Sequence, residues 1–221
     1  IVIQARMGST RLPGKVLLPI ARRPLLAHVL GRLAELQHSA QVVVATSTET
    51  VDDVIEAFCS DTGVACFRGS ETDVLARYRE CALAYGFDPV VRLTADNPFT
   101  DVVELDRLIR LHPGAGNDYT HSFGMMPQGV GAEIFSFAAL ERSYREGHAP
   151  NHREHVNEYI QENPALFRIG QLDVPVAKRH PQLRLTVDTE EDYQRACRIA
   201  DLAEGRWLYT EEAIALCSRF A

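Results

Sequence analysis

The feature that most constrains this chain is an alternation of two periods. Short apolar runs at 1–4, 41–46, 64–67 and 89–94 are each followed by a stretch with helical spacing of its apolar residues, at 24–36, 51–59, 73–85 and 102–111. The run Gln-Val-Val-Val-Ala-Thr at 41–46 shows no polar alternation, as expected of a strand covered on both faces. Strands that alternate with helices need crossover connections, and those connections make a parallel sheet. Gly63 and Gly86 stand where the second and third helical stretches would need a left-handed closing residue.

Beyond residue 111 the rhythm changes. His-Pro-Gly-Ala-Gly-Asn at 112–117 reads as a turn, and 119–122 and 132–137 read as strands around a Gly/Met/Pro/Gln loop. Ser136 is placed to cap a helix near 138–144, and 151–161 is helical. Strands are expected at 167–174 and 183–187. Thr189 and Asp192 have capping-box spacing for a helix to about 204, and 210–220 forms the last helix. The expectation is α/β: a single domain over 1–221, a mixed, mainly parallel sheet between helices, with an antiparallel insertion around 118–180. Ligands in such sheets sit beyond the C-terminal strand ends, which is where unusual residues matter.

Charge adds a second constraint. The net charge of −7 argues against a nucleic-acid partner, whose binding faces are basic. Yet residues 1–34 hold six basic side chains (Arg6, Arg11, Lys15, Arg22, Arg23, Arg32) and no acid, while the remaining 187 hold 17 basic and 30 acidic ones. A cationic segment on an acidic body points to a local anion site. No stretch approaches the ~20 apolar residues of a membrane helix, and no signal pattern opens the chain. Ile1 in place of Met reads as a trimmed start. Five cysteines without Cys-x-x-Cys fit free thiols in a reducing cytoplasm better than a disulfide framework.

Four expected strand ends carry chemistry. Gln4-Ala5-Arg6-Met7-Gly8-Ser9-Thr10-Arg11-Leu12-Pro13-Gly14-Lys15 combines two glycines, hydroxyls and three cations, as a phosphate cradle requires. Its spacing matches neither Gly-x-x-x-x-Gly-Lys nor Gly-x-Gly-x-x-Gly. Asp96 and Asp188 each follow an apolar run, so they either hold Mg²⁺ together with substrate phosphates or cap the helices that follow. Arg68-Gly69-Ser70-Glu71-Thr72-Asp73 offers donors and acceptors suited to a base or ribose. Asn151-His152-Arg153-Glu154-His155 lacks the zinc spacing His-Glu-x-x-His and reads as a substrate-facing helix or a solvated one.

Taken in order, residues 3–17 (Ile-Gln-Ala-Arg-Met-Gly-Ser-Thr-Arg-Leu-Pro-Gly-Lys-Val-Leu), 67–78, 91–98, 153–156 and 183–192 resemble the cytidylyltransferase family. The likeness is to its spore-coat polysaccharide branch, which is related to the CMP-Kdo and CMP-neuraminate synthetases. The resemblance implies a nucleotidyltransferase fold of the glycosyltransferase-A type. It also implies a Mg²⁺-dependent enzyme that makes a CMP- or CDP-activated sugar from CTP and releases pyrophosphate. Carried onto this sequence, Gln4, Ala5, Arg6, Gly8, Ser9 and Thr10 would wrap CTP, and Arg11 and Lys15 would hold its phosphates. Arg68, Ser70 and Asp73 would lie near base and ribose, Asp96 and Asp188 would hold Mg²⁺, and Arg153, Glu154 and His155 would face a sugar acid or sugar phosphate. Where the family often carries an acidic stretch, residues 127–133 keep only Glu133, which bears on the acceptor. The resemblance also implies a homodimer. The competing classes are a nucleotide-sugar glycosyltransferase, for which no Asp-x-Asp is present at the strand ends, a non-catalytic nucleotide-binding protein, and a nucleotidyltransferase for another base.

Overall fold

A computed structural model describes residues 1–203 and 206–219. The strands are β1 (Val2–Gln4), β2 (Pro19–Ile20), β3 (Arg23–Pro24), β4 (Val43–Ser47), β5 (Ala65–Gly69), β6 (Val90–Thr94), β7 (Tyr119–His121), β8 (Glu133–Phe135) and β9 (Ile169–Gln171). The helices are α1 (Leu25–Leu33), α2 (Asp53–Thr62), α3 (Val74–Tyr85), α4 (Val102–Ala115), α5 (Phe137–Glu146), α6 (Pro150–Glu154), α7 (Glu158–Glu162), α8 (Glu190–Asp201) and α9 (Thr210–Cys217). Seven strands form one sheet in the order β5-β4-β1-β6-β8-β7-β9. The first four are parallel; β8 runs antiparallel between β6 and β7.

Period-two alternation in β1 sorts the core. Ile1 and Ile3 face a layer made with Leu26 and Val29 of α1, Leu105 and Leu108 of α4 and Ile199 of α8. Val2 faces the other layer with Leu75 and Tyr78 of α3, Leu140 of α5 and Ile160 of α7. Each fully buried Ile, Leu or Val contributes roughly 1.5–3 kcal/mol, so both faces must be covered and the sheet is fixed between helices. From β1 the chain crosses to β4 on one side and later returns to β6 on the other. The C-terminal ends of β1 and β6, where Gln4 pairs with Thr94, therefore flank the switch point where a crevice opens.

Several expected elements take another form. Residues 112–117 are not a turn: α4 runs through Pro113 to Ala115 and ends at Gly116, φ 61°. Proline this close to the C-terminus removes one helical hydrogen bond, while buried His112 anchors the turn through its Nδ1 contact with Thr120 Oγ1 at 2.9 Å. The helix expected at 151–161 is split into α6 and α7 by an extended His155. The expected strand 183–187 reduces to a single bridge, Arg184 with Gln128. A tight hairpin of β2 and β3 was not anticipated, because its turn uses Ala21 (φ 44°) and Arg22 (φ 69°) rather than glycine. The expected helix ends at 204 and 220 lie outside the described residues.

Candidate active site

The loop after β1 is built by its own backbone and one buried carboxylate. Ser9 and Gly14 both donate to the Met7 carbonyl at 2.9 Å, and Gly14 sits at φ 72°, a conformation glycine adopts freely. Asp52 fastens the loop to β4: it accepts from the Met7 amide at 2.7 Å and from the Ser47 amide at 3.1 Å, and it is buried. Sequence reasoning missed this anchor, because Asp52 looks like any acid opening a helix. Its signal was a second acid, Asp53, immediately after it at the start of α2.

Beneath the loop, three elements converge on one ammonium. Lys15 Nζ donates to Asp96 Oδ2 at 2.7 Å, Asp188 Oδ1 at 2.8 Å and the Val187 carbonyl at 2.8 Å. Neither aspartate caps a helix. Asp101 caps α4, and Thr189 with Asp192 forms the capping box of α8, whose Asp192 Oδ2 accepts from both the Asp188 and Thr189 amides at 3.1 Å. The Asp188 carboxylate is thereby free to face the cleft, where Arg11 and Arg184 also pair with it. Asp96 is oriented by the Thr94 hydroxyl, which donates to Oδ1 at 2.6 Å. Residues 95–96 and 185–187 are tied directly, the Val187 amide donating to the Asp96 carbonyl at 2.9 Å.

Around this pair opens a cleft of about 360 Å³. Of the residues expected at the site, Gln4, Arg6, Ser9, Thr10, Arg11, Lys15, Asp96, Asp188, Glu154 and His155 line it. Thr94 and Arg92 also line it, and no sequence pattern had singled them out. Among the described residues no group of three or more His, Cys, Asp or Glu converges as a metal cage. Two carboxylates, one just past β6 and one after the 183–187 segment, are a donor set suited to a cation that shares its shell with phosphates. The Lys15 ammonium sits between them, so the pair accommodates a positive charge.

Other expected residues are placed elsewhere. Arg68 turns to α2, where its Nη1 pairs with Asp53 at 2.7 Å and Glu56 at 2.8 Å while Nε donates to the Ser47 carbonyl; these carboxylates raise its pKa. Ser70 Oγ accepts from the Asp73 amide at 3.0 Å, and Asp73 caps α3. Arg153 lies over the Tyr144 ring at 4.6 Å and donates to the Tyr144 carbonyl, tying α6 to α5. Ala5 is buried in the sheet, its amide donating to the Ala45 carbonyl, and Gly8 lies outside the cleft lining. Glu133 is 0 % exposed and is the counter-ion of Arg92; it also accepts from the Tyr119 hydroxyl. Burial opposes the Arg92 charge, and the adjacent Glu133 more than offsets this, raising the guanidinium's pKa.

A parallel sheet with an arginine-rich loop at its switch point and a carboxylate pair beneath it is the architecture of a nucleotidyltransferase. The comparisons with known proteins agree. A family model of cytidylyltransferases matches residues 1–214, and the chain belongs to that family. It is 41% identical over 198 residues to the Bacillus subtilis spore coat polysaccharide biosynthesis protein SpsF, spanning 87% of this chain and 82% of that protein. A cytidylyltransferase structure from Leptospira borgpetersenii superposes with a TM-score of 0.88 at 33% identity, over 99% of this chain and 92% of that one. A CMP:2-keto-3-deoxy-manno-octonic acid synthetase solved with CTP shares the fold at a TM-score of 0.67 and 19% identity, over 93% and 98% of the two chains.

Proposed function

We propose that this chain transfers the cytidylyl group of CTP to an anionic sugar, a sugar acid or a sugar phosphate, for surface polysaccharide synthesis. The observation that carries the reading is the meeting of Asp96, Asp188 and Lys15 under the Arg6–Arg11 loop at the β1/β6 switch point. In the reaction an acceptor oxygen attacks the α-phosphorus, the P–O bond to the β-phosphate breaks, and pyrophosphate leaves. Negative charge accumulates on the phosphates, so the protein contributes mainly positioning and neutralisation. Arg6, Ser9, Thr10 and Arg11 line the cleft and would receive the triphosphate. Asp96 and Asp188 would hold a divalent cation, Mg²⁺ in this reading, which supplies charge neutralisation at the reacting phosphoryl group. Arg92, Glu154 and His155 line the same cleft and would face the acceptor.

The chain acts in this reading as one domain, the segment around 118–180 supplying Glu154 and His155 to the acceptor side. No helix among the described residues is long and apolar enough to cross a membrane. The decisive experiment is pyrophosphate release with CTP, Mg²⁺ and a panel of sugar acids and sugar phosphates. Release that depends on one acceptor supports the proposal. Hydrolysis of a nucleotide sugar without use of CTP would replace it with a glycosyltransferase.

A further inference from the structure

Of the 23 basic residues in the sequence, 21 are arginines and two are lysines, Lys15 and Lys178. Both lysines are buried against carboxylates, but in different ways. Lys178 pairs with Asp101 at 2.7 Å and Glu104 at 2.9 Å, both closed off from solvent, while the exposed Glu211 stands off at 3.9 Å. Lys15 is 10% exposed, yet its partners Asp96 and Asp188 are 24% and 18% exposed and form the wall of the cleft. An ammonium has three N–H donors. All three of Lys15's are used, on two carboxylate oxygens and one carbonyl, so none remains for a phosphate. Those same hard oxygens are what a divalent cation would take.

We propose that the Lys15 ammonium is a displaceable stand-in for the divalent cation. It holds Asp96 and Asp188 together before nucleotide arrives, then gives up their oxygens and turns to the incoming phosphates. Asp188 also pairs with Arg11 and Arg184, but the Lys15 ammonium is the cation the two carboxylates share, and it offsets their mutual repulsion. Lysine suits this role because a compact charge on a flexible stem can leave one set of acceptors for another, whereas arginine's planar fork is held by its geometry. Cation binding is thereby coupled to nucleotide, because only phosphates offer the released ammonium a new partner. The inference rests on the proposed function only in requiring that this carboxylate pair take a divalent cation.

Mn²⁺ titration followed by the electron paramagnetic resonance of the free ion tests it without turnover. In the absence of nucleotide, Lys15→Met should bind Mn²⁺ more tightly than the unaltered protein by on the order of ten- to a hundredfold, the worth of the charged contacts a cation no longer has to break. Lys15→Met/Asp96→Asn should return to weak binding, placing the ion at this pair. CTP should tighten Mn²⁺ binding to the unaltered protein far more than to Lys15→Met. A Lys15→Met affinity within twofold of the unaltered protein overturns the stand-in role. Should that variant not fold, the unaltered protein decides. With [ε-¹³C]lysine it shows two lysine signals, assigned with Lys178→Arg, and Mg²⁺ with CTP should move that of Lys15 and leave that of Lys178. A Lys15 signal unmoved when CTP and Mg²⁺ are bound also overturns the inference. Acceptor-dependent pyrophosphate release judges the proposed function separately: its absence alongside tight Mn²⁺ binding by Lys15→Met would sink the reaction and leave the stand-in supported.

Discussion

Glu133→Gln separates a structural carboxylate from a substrate-binding one. The change keeps the side chain's shape and removes its charge, leaving the Arg92 guanidinium beside a neutral amide. Glu133 is 0 % exposed and Arg92 16 % exposed, and Arg92 Nε already lacks a partner. Breaking a buried ion pair by removing one partner costs about 3–5 kcal/mol, because the remaining charge stays desolvated. The partial exposure of Arg92 lets water screen some of that charge, which places the expectation at the lower end, about 3 kcal/mol. For a chain of this size each kcal/mol lowers Tm by about 2–4 °C, so a fall of roughly 6–12 °C is expected. Circular-dichroism melts of Glu133→Gln, Arg92→Met and the double variant measure it. The double variant should recover part of the loss, since no unpaired charge is left. An unchanged Tm combined with a raised KM for the acceptor alone would refute this reasoning and return Glu133 to the substrate.

Asp96→Asn should lower kcat by far more than it weakens CTP binding, because the held cation matters most where charge develops in the transition state; parallel losses measured by kinetics and calorimetry would contradict this. Arg68→Ala should leave CTP affinity within about threefold, since a charge already paired at an exposed site contributes little, and a tenfold loss in titration would place Arg68 in the nucleotide site. Burial pushes His112 below its ordinary pKa of 6.5, so around and below that pH the unfolded chain holds this proton more readily than the fold does. Its contribution to stability is therefore full above pH 6.5 and is lost as pH falls from there through its lower folded value. Melts from pH 8 to 5 should show a shallower acid-side decline in His112→Gln; identical slopes would exclude the contribution.

Local patterns carried much of this protein. The four alternations of apolar run and helical stripe specify a parallel sheet, because each strand must be buried on both faces and each crossover must return the chain in the same direction. The charge concentration before residue 35 and the glycines at 8 and 14 mark the loop after β1, and the Thr189–Asp192 spacing marks the start of α8. Those are short-range signals, legible because capping, φ preference and periodicity act over a few residues. Long-range pairing decided the rest. Asp188 was held at the cleft by Lys15, 173 residues earlier in the chain. Arg68 was drawn from the cleft by Asp53 and Glu56, which lie on α2 beside it only once β4 and β5 pair. Glu133 became a counter-ion because β8 sets it opposite Arg92 across an antiparallel pair. Lys15, with a charge any phosphate could have claimed, went to two aspartates 81 and 173 residues away. A side chain's type sets what it can bind, but which partner it meets is chosen by distances that exist only after the chain has folded.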